Sequence, residues 1–317
     1  MKYLSSILFF YLIFSSCQSE LNIEIPRKPS KLVLKSYFSP DSIWSAKITS
    51  SSFILDDDDN QLIKNAKVSL FENMTLIDNL FYNEEKELYQ SDFLIPETGK
   101  KYLIEIEAPG YNRVQSDKSS IPKAININKI ILDTTNIIKI GDILYNKMNV
   151  EFKDPEEEPN YYMIQIMINT EYTCNFPIVD PSNSQIIGDT TITTTLYNSN
   201  ILIENISPDN YNDKFWGYRS KIFISDNDFN GRTYNIDIIF YNNFISKPDN
   251  CNTNYLRFTV VLNSISKEIF QYETTAELQR NNRDNPFSEP VQVYSNIIGG
   301  LGIFGGYSSD TMMIKIK

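Results

Sequence analysis

The side chains best suited to chemistry in this sequence are carboxylates. Asp226-Asn227-Asp228-Phe229-Asn230-Gly231 sets oxygen donors at alternate positions, with glycine sixth and Asp237 at the twelfth place. That is the spacing of a calcium loop. The ion takes about six to eight hard oxygens, and the glycine makes the sharp turn that gathers them. Position twelve is Asp rather than the bidentate Glu, and the flanks KIFIS and RTYNIDIIF read as strands, not helices. A hairpin turn accounts for the same residues, since Asn-Gly after an acidic stretch is a strong turn signal. Asp237, between Ile236 and Ile238, then points to solvent. The turn is the favoured reading; Asp226, Asp228, Asn230 and Asp237 are the calcium candidates on the other.

Two further acidic runs, Asp56-Asp57-Asp58-Asp59 and Asp154 with Glu156, Glu157 and Glu158, read as exposed loops, because adjacent like charges repel. A pair of carboxylates could run glycoside hydrolysis without histidine. Among 40 acidic residues, spacing alone nominates no pair. Trp44, Trp216 and Tyr218 could stack on sugar rings, or fill a core. The sequence contains no histidine, which removes Ser–His and Cys–His catalysis and His-based zinc sites. Three cysteines cannot supply a four-cysteine zinc site. A net charge of −11 argues against nucleic acid as a partner. No cofactor and no catalytic residue is implied.

These residues need a frame, and the frame reads as β. Lys31–Tyr37, Ala66–Phe71 and Tyr102–Glu107 alternate apolar and polar residues, the mark of a strand with one buried face. Turn signals separate them at Ser39-Pro40-Asp41, Glu97-Thr98-Gly99 and Pro109-Gly110. The expected fold is mainly β: an immunoglobulin/transthyretin-like β-sandwich over residues 31–121, then a larger β-sandwich domain over 122–317. Strands are expected at 126–132, 147–152, 161–169, 190–196, 219–224, 234–241 and 255–263. One helix is expected at about 266–281, with Ser266 as N-cap and an apolar stripe of Ile269, Tyr272, Ala276 and Leu278. Five of the 11 glycines lie between 299 and 306. No Lys-Ser/Thr pair follows them, so they do not cradle phosphate. They read as sites of positive φ, bulges or close backbone approach, anchored by Phe304 and Tyr307, with a final strand over 311–316.

The N-terminus reads as an address. Met1-Lys2 is followed by the apolar run Tyr3–Phe14 and then Ser15-Ser16-Cys17. The run is too short to span a bilayer and suits a signal peptide. Small residues before a cysteine match the cleavage and acylation pattern of bacterial lipoproteins. Residues 1–16 are thus expected to be a signal peptide, Cys17 a lipidated N-terminus, and 17–30 a linker. Exported compartments permit disulfides. Cys174 and Cys251 remain as a possible pair, or as two free thiols.

One region carries a family resemblance. "NPFSEPVQVYSNIIGGLGIFGGY", preceded by "ISKEIFQYETTAELQ", resembles the signature of domain of unknown function family 4249 (DUF4249). "FISDNDFNGRTYNIDI", "ILDDDDNQLIKNAKVSL" and "IPETGKKYLIEIEAPGY" match its style, so the resemblance extends over roughly residues 20–317. It implies an outer-membrane lipoprotein of Bacteroidetes-type bacteria, lipid-anchored on the periplasmic or surface face, beside a TonB-dependent transporter. It implies no activity. The expected role is a non-enzymatic binding or accessory protein. A histidine-free glycan hydrolase and a purely structural envelope protein are the alternatives.

Overall fold

The structure is a computed structural model and describes residues 29–53, 61–140, 143–156, 158–179, 186–198, 203–205, 221–241, 251–282, 288–289 and 291–316. Alternation sets its first strands. In β1 (Leu32–Phe38) Leu32, Leu34, Ser36 and Phe38 turn inward, and in β2 (Ser45–Ser50) Ala46, Ile48 and Ser50 do. Short strands follow: β3 (Lys67–Glu72), β4 (Thr75–Asn83), β5 (Leu88–Gln90), β6 (Lys101–Glu107), β7 (Val114–Ser116) and β8 (Ser119–Ser120). Most later strands are longer: β9 (Ile127–Ile140), β10 (Ile143–Lys153), β11 (Tyr161–Val179), β12 (Ile186–Asn198), β13 (Ile203–Asn205), β14 (Ile222–Ser225), β15 (Thr233–Tyr241) and β16 (Cys251–Ile265). Helix α1 (Lys267–Asn282), β17 (Ile297–Ile298) and β18 (Leu301–Ile316) come last.

The larger sheet has 14 strands in the order β12-β11-β16-β18-β1-β2-β5-β4-β3-β6-β7-β17, with β14 attached to β11 and β8 to β6. A four-stranded sheet has the order β13-β15-β10-β9. The fold is mainly β, one large curled sheet and a second sheet, with one helix among the described residues. That agrees with the fold class read from the alternating pattern.

Apolar residues gather in two principal clusters. One draws on residues 32–121 together with Ile297 and Phe304; the other draws on residues 127–262. β18 connects them. It runs parallel to β1 on one side, pairing Gly302 with Leu34 and Phe304 with Ser36. On its other side it is antiparallel to β16. The final strand therefore starts at Leu301 and not at Thr311. Its glycines are the reason: they let the chain pass where side chains would collide. A Cβ on Gly305 would lie 2.5 Å from Ile269, and one on Gly306 would lie 2.5 Å from the Ser120 carbonyl. Phe304 is fully buried between Phe38, at 4.7 Å, and Trp44, at 6.1 Å between ring centres.

Helix α1 begins as the sequence suggests. The Ser266 hydroxyl accepts from the Ile269 amide at 3.4 Å, and the Ser266 carbonyl accepts from the Phe270 amide at 3.1 Å. Ile269 and Ala276 are buried, but Leu278 is exposed, so the apolar stripe is shorter than expected. Ile269 packs with Ile265 and Ile303, and Phe270 lies 4.8 Å from Tyr161. The Tyr37 hydroxyl donates to Glu273 at 2.6 Å, and Ser119 donates to Glu268 at 3.2 Å. The helix is thereby tied both to the 32–121 segment and to β11 and β16.

Candidate binding surface

The structure separates the carboxylates that the sequence places close together. Asp226 is buried and opens a short 3-10 turn, Asp226–Asp228. Its carboxylate accepts from the Asn160 amide at 2.7 Å, and its own amide donates to the Asn160 carbonyl at 3.1 Å. Asp237 lies on β15 between buried Ile236 and Ile238. It pairs with Lys147 at 2.7 Å and accepts from the Asn149 side-chain amide at 2.9 Å. Partial burial pushes its carboxyl up, but Lys147 and Asn149 prevail and hold it below the usual range. Asp228 and Asn230 are exposed. Among the described residues, no three His, Cys, Asp or Glu side chains gather in a way that could hold a metal ion.

The turn at 226–231 does not close a hairpin. β14 pairs with β11 in the large sheet, while β15 pairs with β10 in the small one. The physical reason is Phe229, which the turn buries between the sheets. It stacks on Tyr234 at 3.9 Å and meets Phe152 edge-on at 6.0 Å. Gly231 has φ +73 and gives its amide to Asp154 at 2.8 Å.

That contact corrects a second expectation. Asp154 does not sit in a solvated acidic loop; it is 1% exposed. Its carboxylate accepts from the Tyr162 hydroxyl and the Gly231 amide, and its amide donates to the Arg232 carbonyl at 3.0 Å. Glu156 and Glu158 are exposed, as expected of the rest of that run. Asp154 is a clasp between the β10 end, β11 and the 226–231 turn. The sequence signal for it is slight: an acid directly before a proline, where a strand ends. Trp44 is fully buried in the first core and has no face for sugar.

Cys17, Asp56–Asp59, Glu157, Trp216 and Tyr218 lie outside the described residues. Cys174 is buried and disulfide-bonded, and the β11–β16 ladder makes Cys251 its Cα partner.

A groove of about 500 Å³ opens where β3 begins and β6 ends. Lys67 and Glu107, which face each other across that ladder, line it with Asn65, Ala108, Tyr111 and Arg113. Gly110, at φ +83, turns the chain after β6 and brings Tyr111 back against the first core. Arg113 pairs with Glu105, and with Glu107 at 3.6 Å. Lys67, the Arg113–Glu107 pair and Tyr111 together form a surface of polar groups held by the β3–β6 ladder. Residue types alone gave no sign of it, because the members come from two segments, 65–67 and 107–113, that are distant in sequence.

The family model described as "Domain of unknown function (DUF4249)" matches residues 18–312. No curated protein matches the chain. A solved structure titled "Biofilm associated protein - BSP domain" is similar at 10% identity with a TM-score of 0.15. That match covers 92% of this chain, which spans 62% of the other.

Proposed function

This chain belongs to the DUF4249 family, and from that premise we propose a lipid-anchored, non-enzymatic protein of the cell envelope that binds or assists a TonB-dependent outer-membrane transporter. The observation that carries the reading is the apolar run Tyr3–Phe14 ending in Ser15-Ser16-Cys17. It supports a body tethered through an acylated cysteine. The 14-stranded sheet suits such a body, because it holds short loops and the Lys67–Arg113 groove rigid for contact with a partner. Three carboxylates serve the framework: Asp154 and Asp226 fix main-chain amides, and Asp237 fixes a ladder lysine.

Two measurements test it. Cys17→Ser should move the chain from the membrane fraction to the soluble fraction. A variant that still sediments with membranes removes the tether. Pull-down of the wild-type chain from intact envelopes should recover a β-barrel transporter. Recovery of the tethered chain with no transporter removes the accessory role.

A further inference from the structure

β9 is an outer strand: among the described residues its one ladder neighbour is β10. An outer strand leaves a row of main-chain donors and acceptors open to another strand. Its segment Lys129-Ile130-Ile131-Leu132-Asp133 has two distinct faces. Lys129, Ile131 and Asp133 share the outward one, and Ile131 is 47% exposed there. Ile130 and Leu132 share the inward one, at the margin of the second core, where they are only partly covered.

These five residues are complementary to themselves. Set antiparallel against a copy, with Ile131 across from Ile131, each Lys129 meets the other chain's Asp133. Each Ile130 meets a Leu132, so the partly covered core margins continue into one another. Other registers lose this match. Pairing Ile130 with Ile131 sets an inward residue against an outward one. Centring on Ile130 or Leu132 puts Lys129 or Asp133 opposite Ile131. Edge lysines often guard a strand against pairing; here the lysine comes with its counter-charge four residues on. The Asp133 carboxylate accepts from the Thr135 amide at 3.0 Å and hydroxyl at 2.9 Å, which orients it, and a carboxylate has capacity for further donors.

We propose that the β9 edge binds a second copy of this chain, forming a two-fold antiparallel ladder that continues the small sheet across a dimer. The interface is isologous, so every cross-strand pair occurs twice. Opposite charges facing each other favour such a pair, and like charges disfavour it.

Sedimentation of the full chain in detergent, over a concentration series, reads the dimer. Lys129→Asp alone and Asp133→Lys alone each place like charges opposite one another twice. Each should weaken dimerisation roughly tenfold or more. Mixing the two variants restores both ion pairs in a heterodimer, and the double variant K129D/D133K restores them in a homodimer. Ile131→Cys should yield an intermolecular disulfide on oxidation, since that residue faces itself, and Lys139→Cys should not. The cysteine readout decides the matter if a charge variant fails to fold. A chain that is monomeric throughout the series, or a dimer that neither swap weakens, overturns the proposal.

Discussion

A Cβ on residue 302 would lie 1.9 Å from the carbonyl oxygen of Leu34. Gly302 and Leu34 are neighbours in the parallel ladder between the last strand and the first, and Gly302 has φ +112. The close approach closes the fold. It lets β18 reach the first core cluster, where Phe304 completes the aromatic packing around Phe38 and Trp44. Asn296 holds the same strand from the other direction. Its side-chain amide donates to the Phe304 carbonyl at 2.8 Å, and its side-chain oxygen accepts from the Phe304 amide at 3.0 Å.

Gly302→Ala should therefore be severely destabilising. The strain of a non-glycine residue at that φ adds to a collision with main chain that no rotamer relieves, so the loss should be roughly 3 kcal/mol or more. Gly110→Ala is the control. Residue 110 also has positive φ, at +83, but its Cβ would meet nothing within 4 Å. Its cost should be about 1 kcal/mol. Urea denaturation of both variants measures the difference. Equal midpoints would show that the Leu34 contact is not what constrains residue 302.

Alkaline pH should unfold the protein, through tyrosines that the fold keeps protonated. Burial, and then the Glu273 carboxylate, push the Tyr37 hydroxyl far above the usual phenol range. Burial, and then Asp154, do the same to Tyr162. Below about pH 10, the ordinary phenol value, both states hold these protons and stability does not depend on them. Above it the unfolded chain releases protons that the folded chain retains, so stability falls as pH rises. Tyr37→Phe and Tyr162→Phe should each flatten that fall. Denaturation midpoints measured between about pH 8 and 11 check it; a slope unchanged in both variants sinks the assignment.

Much of the architecture is legible where one local rule suffices. Alternation marks β1 and β2, and Ser266 marks the start of the helix. What escapes depends on distant partners. Gly299–Gly306 carries the composition of a loop, yet from Leu301 it is strand, because Leu34, Ile269 and Ser120 crowd it from elsewhere in the chain. Asp226–Gly231 has the chemistry of a hairpin turn, yet the strands it links enter different sheets, since Phe229 needs a place between them. Asp154 reads as one member of a charge run, yet Tyr162 and Gly231 bury it. The groove of Lys67, Tyr111 and Arg113 exists only once β3 lies beside β6.

The cross-strand register makes one further prediction about covalent structure. Cys174 is disulfide-bonded, and Cys251 is its Cα partner across the β11–β16 ladder. A Cys174–Cys251 bridge spans 76 intervening residues, which include β12, β13, β14 and β15. In the chain-entropy account, closing a loop of that size limits the unfolded ensemble by on the order of 4 kcal/mol. Alkylation of the wild-type chain after non-reducing denaturation should leave both cysteines unmodified. Reduction first should expose both, and the reduced protein should unfold at markedly lower urea. Cys174→Ala should leave Cys251 open to alkylation without reductant. Labelling of both thiols in the unreduced wild type would reject the bridge.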